Sequence, residues 1–162
     1  MTTQFWATIV VGLFLSGSSA STFAGERKVY VLNAIEGDVI EVVRDSKQYR
    51  VHIAGIDAPP NGTALAKTSK QALGALTFGR WALADCVNAP APPPKKPGDK
   101  PQLGPLYCRV DVEGADLAAS QLEAGNVKYS PKQVFGLAES SRKRYQDAES
   151  KAKEAKVGVW AQ

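Results

Sequence analysis

Val39 to Val43 is a β-branched run opened by the turn Glu36-Gly37-Asp38, and it predicts a strand bounded by Gly and Asp. Asp45-Ser46-Lys47 supplies the chemistry of a second turn. From Gln48 to Ile56, Arg50, His52 and Ala54 alternate with Val51 and Ile53, the period-two pattern of a half-buried strand. The two runs make a hairpin that carries Asp38 and Asp57 to the ends of paired strands. Two further strand-like runs follow, Trp81 to Asp85 ending at Cys86, and Tyr107 to Val112 containing Cys108.

Between and after these runs the period changes. Thr63 to Phe78 suits a helix, with Leu65, Ser69, Ala72, Leu73 and Leu76 spaced for one face and Gly79 as its stop. Gly114 to Gly125 predicts a second helix. Leu137 to Lys156 predicts a third, strongly charged and supported by pairs such as Asp147 with Lys151. Val87 to Pro105, rich in Pro and Lys, reads as a stiff polyproline-like surface loop.

The N-terminal pattern is different again. Phe5 to Leu15 is an apolar run of signal-peptide length followed by small residues from Ser16 to Gly25. This predicts an export signal over residues 1–24, cleaved after Ala20 or Ala24, and a single mature domain over 25–162. No Lys or Arg precedes the run, so an uncleaved anchor is the alternative; the run is short for a stable membrane span. The 162 residues, 44% of them hydrophobic, are enough for one domain with a proper core, and no internal repeat divides them. The sequon Asn61-Gly62-Thr63 matters only in a glycosylating host.

Export changes the meaning of the two cysteines. Cys86 and Cys108 are an even count in an exported chain and predict one disulfide clamping the Pro-rich loop. A zinc set is disfavoured, because one His and no further Cys remain to complete it. The net charge of +4 has its excess late in the chain, at Lys128, Lys132, Arg142, Lys143 and Arg144 among others. Such a face attracts nucleic acid or acidic polysaccharide, and a solvated helix with compensating pairs is the other reading. Tyr107, Tyr129 and Tyr145 serve either as stacking platforms or as packing.

Two aspartates at strand ends can bind a hard cation through oxygen, although Asp after Gly and Asp before Ala-Pro are also ordinary turn residues. The whole string from Gly37 to Pro60, GDVIEVVRDSKQYRVHIAGIDAPP, resembles the staphylococcal nuclease family, whose core runs from a Gly-Asp-Thr turn through a hairpin into Gly-Ile-Asp-Ala-Pro-Glu. Asp116 to Gly125 is similar to the helix that follows that family's barrel, and Lys156 to Trp160 to its usual ending. The resemblance implies a mostly β fold with α: a five-stranded OB-type Greek-key barrel with one helix after the third strand and three helices in all. It also implies calcium-dependent hydrolysis of DNA and RNA phosphodiesters.

Carried over residue by residue, the resemblance makes Asp38 and Asp57 the calcium ligands, with the Ala58 carbonyl as a third oxygen. Where the family has its general-base Glu stands Pro60, and where it has its first phosphate-clamping Arg stands His52. The second Arg, of a Tyr-Gly-Arg turn, falls on Leu103-Gly104-Pro105. A positioned base contributes about 10²–10⁴-fold and a clamping arginine about 10³–10⁵-fold, so losing all three leaves little of the mechanism. Arg50 lies about 6.6–6.8 Å along the strand from His52, and Lys95, Lys96 and Lys100 lack the bidentate fork of a guanidinium. The sequence therefore predicts a weak or silent member that binds nucleic acid or another polyanion, or else an active endonuclease with a rearranged site built from Asp38, Asp57, Arg50 and His52.

Overall fold

The structure is a computed structural model that describes residues 25–91, 93, 96 and 102–161. The segment read as an export signal, and Lys95 and Lys100 of the Pro-rich loop, lie outside the described residues. Five strands build the barrel: β1 (Arg27–Ala34), β2 (Val39–Arg44), β3 (Lys47–Ile53), β5 (Trp81–Asn88) and β6 (Leu106–Val112). The remaining strands are the two-residue pieces β4 (Ile56–Asp57), β7 (Ala115–Asp116) and β8 (Lys128–Tyr129). Antiparallel pairing runs β3-β2-β1-β5-β6, and a parallel seam between β3 and β6 closes the ring by pairing His52 with Tyr107 and Ile53 with Cys108. This is a closed mixed barrel with helices, mostly β, of the staphylococcal-nuclease-like OB type. Closure leaves the barrel strands without a free edge.

Alternation along each strand fills the interior. Val29, Val31, Ile40, Val42, Val51, Ile53, Cys108 and Val110 all point inward and are fully buried. Cys86 and Cys108 are direct partners across β5 and β6 and form the predicted disulfide, which encloses a separation of 22 residues. A disulfide suits an oxidising compartment. Among the described residues, no helix is long and apolar enough to cross a membrane.

Three boundaries differ from the pattern reading. β3 stops at Ile53, because Ala54 and Gly55 turn the chain and Ile56-Asp57 pairs instead with Lys128-Tyr129. The second helix, α2 (Leu117–Glu123), begins three residues late. Ala115 and Asp116 first pair with β6, and Asp116 then caps the helix by accepting from the Ala119 N–H at 3.2 Å. The third helix, α3 (Glu139–Glu154), packs Tyr145, Ala148 and Ala152 inward, and its Asp147 pairs with Lys143 rather than with Lys151.

The first helix, α1 (Ala64–Thr77), is capped by Thr63, whose Oγ1 accepts from the Ala66 N–H at 3.0 Å. Its buried line is Ser69, Leu73 and Thr77, while Leu65 and Leu76 stay 44% and 37% exposed. The buried line thus keeps Ser69 and Leu73 of the predicted face, adds Thr77 and leaves Leu65 and Leu76 out. The reason lies under the β1–β2 turn, where a Cβ on Gly37 would sit 1.8 Å from Ser69 Oγ. Only a small side chain facing a glycine permits that approach.

Candidate functional site

The turn between β1 and β2 is held from both sides. Ile35 N–H donates to the Val39 carbonyl at 2.8 Å, and Ile53 N–H donates to the Asp38 carbonyl at 2.8 Å. Gln121 of α2, fully buried, donates through Nε2 to the carbonyls of Gly37 (3.1 Å) and Ser69 (3.0 Å), tying the turn to α1. Asn126 in turn donates to Gln121 Oε1 at 3.0 Å.

This framework presses Asp38 into the protein. It is only 6% exposed, and its Oδ1 has no hydrogen-bond partner among the described residues. Burial pushes its carboxyl up to about 6; a hydrogen bond from the Ala58 backbone opposes the rise, and the charges of Glu36 and Asp57 add to it. Asp57 is exposed at the end of β4, with Lys128 opposite it on β8. Asp57 is close enough for its charge to bear on Asp38, but it stands on β4 beyond the end of the predicted hairpin. The same electrostatics adds Glu36, which the sequence reading treated only as a turn residue.

His52 stands between Val39 on β2 and Tyr107 on β6. Its ring lies 5.1 Å from that of Tyr107, which lies 4.9 Å from Phe135, so three half-buried rings form a row beside the carboxylates. Desolvation lowers the His52 pKa; Glu36 opposes this and Arg50 assists it. His52 is consequently neutral at pH 7 and carries an acceptor nitrogen. Burial raises the Tyr107 phenol, and the charges of Asp38 and Asp57 raise it further. Arg50 is exposed on β3 opposite Glu41, close enough to bear on His52.

The positions read as departures have structural uses. The Pro60 carbonyl accepts the Thr63 hydroxyl at 2.9 Å, so the proline shapes the start of α1. Leu103 is 85% exposed, and Asn88 Nδ2 donates to the Gly104 carbonyl at 2.9 Å. A Cβ on Gly104 would lie 1.9 Å from the Ala89 carbonyl oxygen, so the two backbones pass in contact at the neck of the Pro-rich loop.

The donor set of this turn fits a hard cation. It is made of oxygen, negatively charged, and contains a buried carboxylate oxygen that nothing among the described residues satisfies. Among the described residues, no group of three or more His, Cys, Asp and Glu side chains is gathered tightly enough to hold a metal ion. Backbone oxygen and water would have to complete the shell around Asp38 and Asp57.

The five basic residues separate. Lys128 places its ammonium 5.0 Å from the Trp160 ring centre, and Lys132 is exposed in the 3₁₀ turn Pro131–Gln133, whose Gln133 carbonyl accepts from Gly55 N–H at 2.7 Å. Lys143 is engaged by Asp147 at 3.8 Å, and Arg144 lies 3.9 Å from buried Asp116. Arg142 is exposed on α3. Tyr145 is core: its hydroxyl donates to Asp116 at 2.9 Å. Glu36 and Gln121 are the additions that structure makes. Gln121 had a signal, a polar residue within the apolar run of α2.

With this geometry in hand, comparison with known proteins is informative over part of the chain. No family model matches it. Micrococcal nuclease of Shigella flexneri is 37% identical over 68 residues, covering 42% of this chain and 37% of that protein. Protein ParB of Escherichia coli is 36% identical over 66 residues, covering 41% of this chain and 37% of that protein. The match thus spans little more than a third of either relative's length. Together with the closed barrel it marks a distant similarity to a nuclease.

Proposed function

We propose that this is an exported, staphylococcal-nuclease-like protein that binds nucleic acid, with calcium-dependent phosphodiester hydrolysis weak or absent. The observation that carries this reading is Pro60. The position where the resemblance calls for a general base holds a side chain with no proton acceptor, and its carbonyl is committed to the start of α1. The two clamp positions hold neutral His52 and the neck of the loop. A calcium ion held by Asp38 and Asp57 would offset their charge and polarise a phosphate oxygen. The similarity to micrococcal nuclease and the basic residues Lys128 and Lys132 beside the site support nucleic acid as the ligand. The disulfide and the apolar N-terminal run support export.

The test is cleavage of single-stranded DNA by the oxidised protein in calcium and in chelator, beside Asp38→Ala. The expected result is no cleavage above that control, with binding that weakens steeply as salt rises. Calcium-dependent cleavage lost in Asp38→Ala would overturn the silent reading.

One arrangement favours the alternative, an active endonuclease. Glu36 and neutral His52 stand beside Asp38, and either can accept a proton from water. In that case His52→Gln or Glu36→Gln lowers turnover by about 10²-fold or more while Pro60→Ala leaves it unchanged.

A further inference from the structure

Away from the carboxylates, a groove follows the flank of α1. Its first part, about 370 Å³, is lined by Ile35, Glu36, Asn61, Thr63, Lys67 and Lys70. Its second part, about 540 Å³, shares Lys67 and Lys70 and ends against Phe78. The two parts adjoin at Lys67 and Lys70, along the side of α1 that faces the end of β1. The groove opens at Glu36, in the turn that holds Asp38.

The chemistry along it is uneven in an informative way. Lys67 and Lys70 are three apart on α1, so they stand on one helix face about one turn from each other. Both are exposed, and neither ammonium has an ion pair or hydrogen bond among the described residues. Glu36, the one acid among the described lining residues, is already approached by Asn61 Nδ2 at 3.3 Å. Phe78, at the far end, is 72% exposed, although a phenyl ring gains by burial.

We infer that this groove takes a single nucleic-acid strand, with Lys67 and Lys70 on successive phosphates and Phe78 stacked on an unpaired base. The inference rests on the nucleic-acid reading above and adds a track distinct from the basic residues of α3. Two unpaired cations answer a phosphate backbone, and an exposed ring answers the face of a base. A duplex keeps its bases stacked inside and offers Phe78 no face. The groove would therefore lead a strand along α1 toward Asp38.

The test is fluorescence anisotropy with a labelled single strand of about 12 nucleotides, within the site sizes of OB folds. Chelator is present throughout, and a duplex of the same sequence and heparin serve as competitors. Three variants are compared with wild type: Lys67→Gln with Lys70→Gln, Phe78→Ser, and Arg142→Gln with Lys143→Gln. All five positions are exposed, so melting temperatures are expected to stay close to wild type. The lysine pair should cost about tenfold in affinity and lower the log–log salt slope by about 1.4, two phosphates at about 0.7 each. Phe78→Ser should cost about tenfold, leave the slope unchanged and reduce the preference for single strands over duplex.

Unchanged affinity in both groove variants, with loss in the α3 variant, overturns the track and leaves the nucleic-acid reading standing. Wild-type protein that binds no DNA at low salt overturns the reading itself. Binding that depends on the lysines but not on Phe78, and is equal for heparin, overturns a nucleic-acid strand as the occupant.

Discussion

Asp38 carries an unusual load for a turn residue, since the fold desolvates a carboxyl and leaves one of its oxygens unanswered. Its pKa is raised from 3.8 to about 6, so the folded protein holds that proton more tightly than the unfolded chain does. The resulting stabilisation is full below pH 4 and is lost as pH rises through 6. In chelator, Asp38→Asn should therefore be more stable than wild type at pH 7 by about 1–3 kcal/mol, with a flatter profile between pH 4 and 6. Denaturant unfolding across that range checks it. Added calcium should raise the melting temperature of wild type and leave the Asn variant unmoved. The aspartates were legible because their turns are written locally, in Gly37-Asp38 and Asp57-Ala58-Pro59. Glu36 and Gln121 were not, because their roles arise from residues brought together across β1, β3, α1 and α2, and no local period records that.

Elements were easier to place than to orient. The barrel strands that the pattern named all exist, and so do the three helices. The errors fall where a tertiary partner intervenes, as with Ala115-Asp116, taken by β6 before α2 can begin. Along α1 the five residues at helical spacing name a face of which Ser69 and Leu73 are buried, while Leu65 and Leu76 are left out where Ser69 packs against Gly37. Two substitutions separate the buried part of that face from its exposed part. Leu73→Ala should cost about 2–5 kcal/mol, as a fully buried leucine does, whereas Leu65→Ala should stay within about 1 kcal/mol. Urea unfolding of both variants decides it, and equal losses would put Leu65 on the buried side with Leu73.

For the whole molecule, closure of the barrel joins residues distant in sequence at one seam, where β3 meets β6. His52 pairs there with Tyr107 and Ile53 with Cys108, so the candidate site and the covalent clamp meet at one seam. Replacing both cysteines by serine should cost about 3 kcal/mol in the chain-entropy account, read as a lower denaturant midpoint without a change of fold. The bridge has a further consequence at the neck of the Pro-rich loop. Because the ladder runs on from Cys86 and Cys108 to Asn88 and Leu106, a cut in the loop beyond those two residues leaves that pairing and the bridge in place. A protease that severs the chain between Lys95 and Lys96 would leave a two-chain protein running as one species until a reductant parts it.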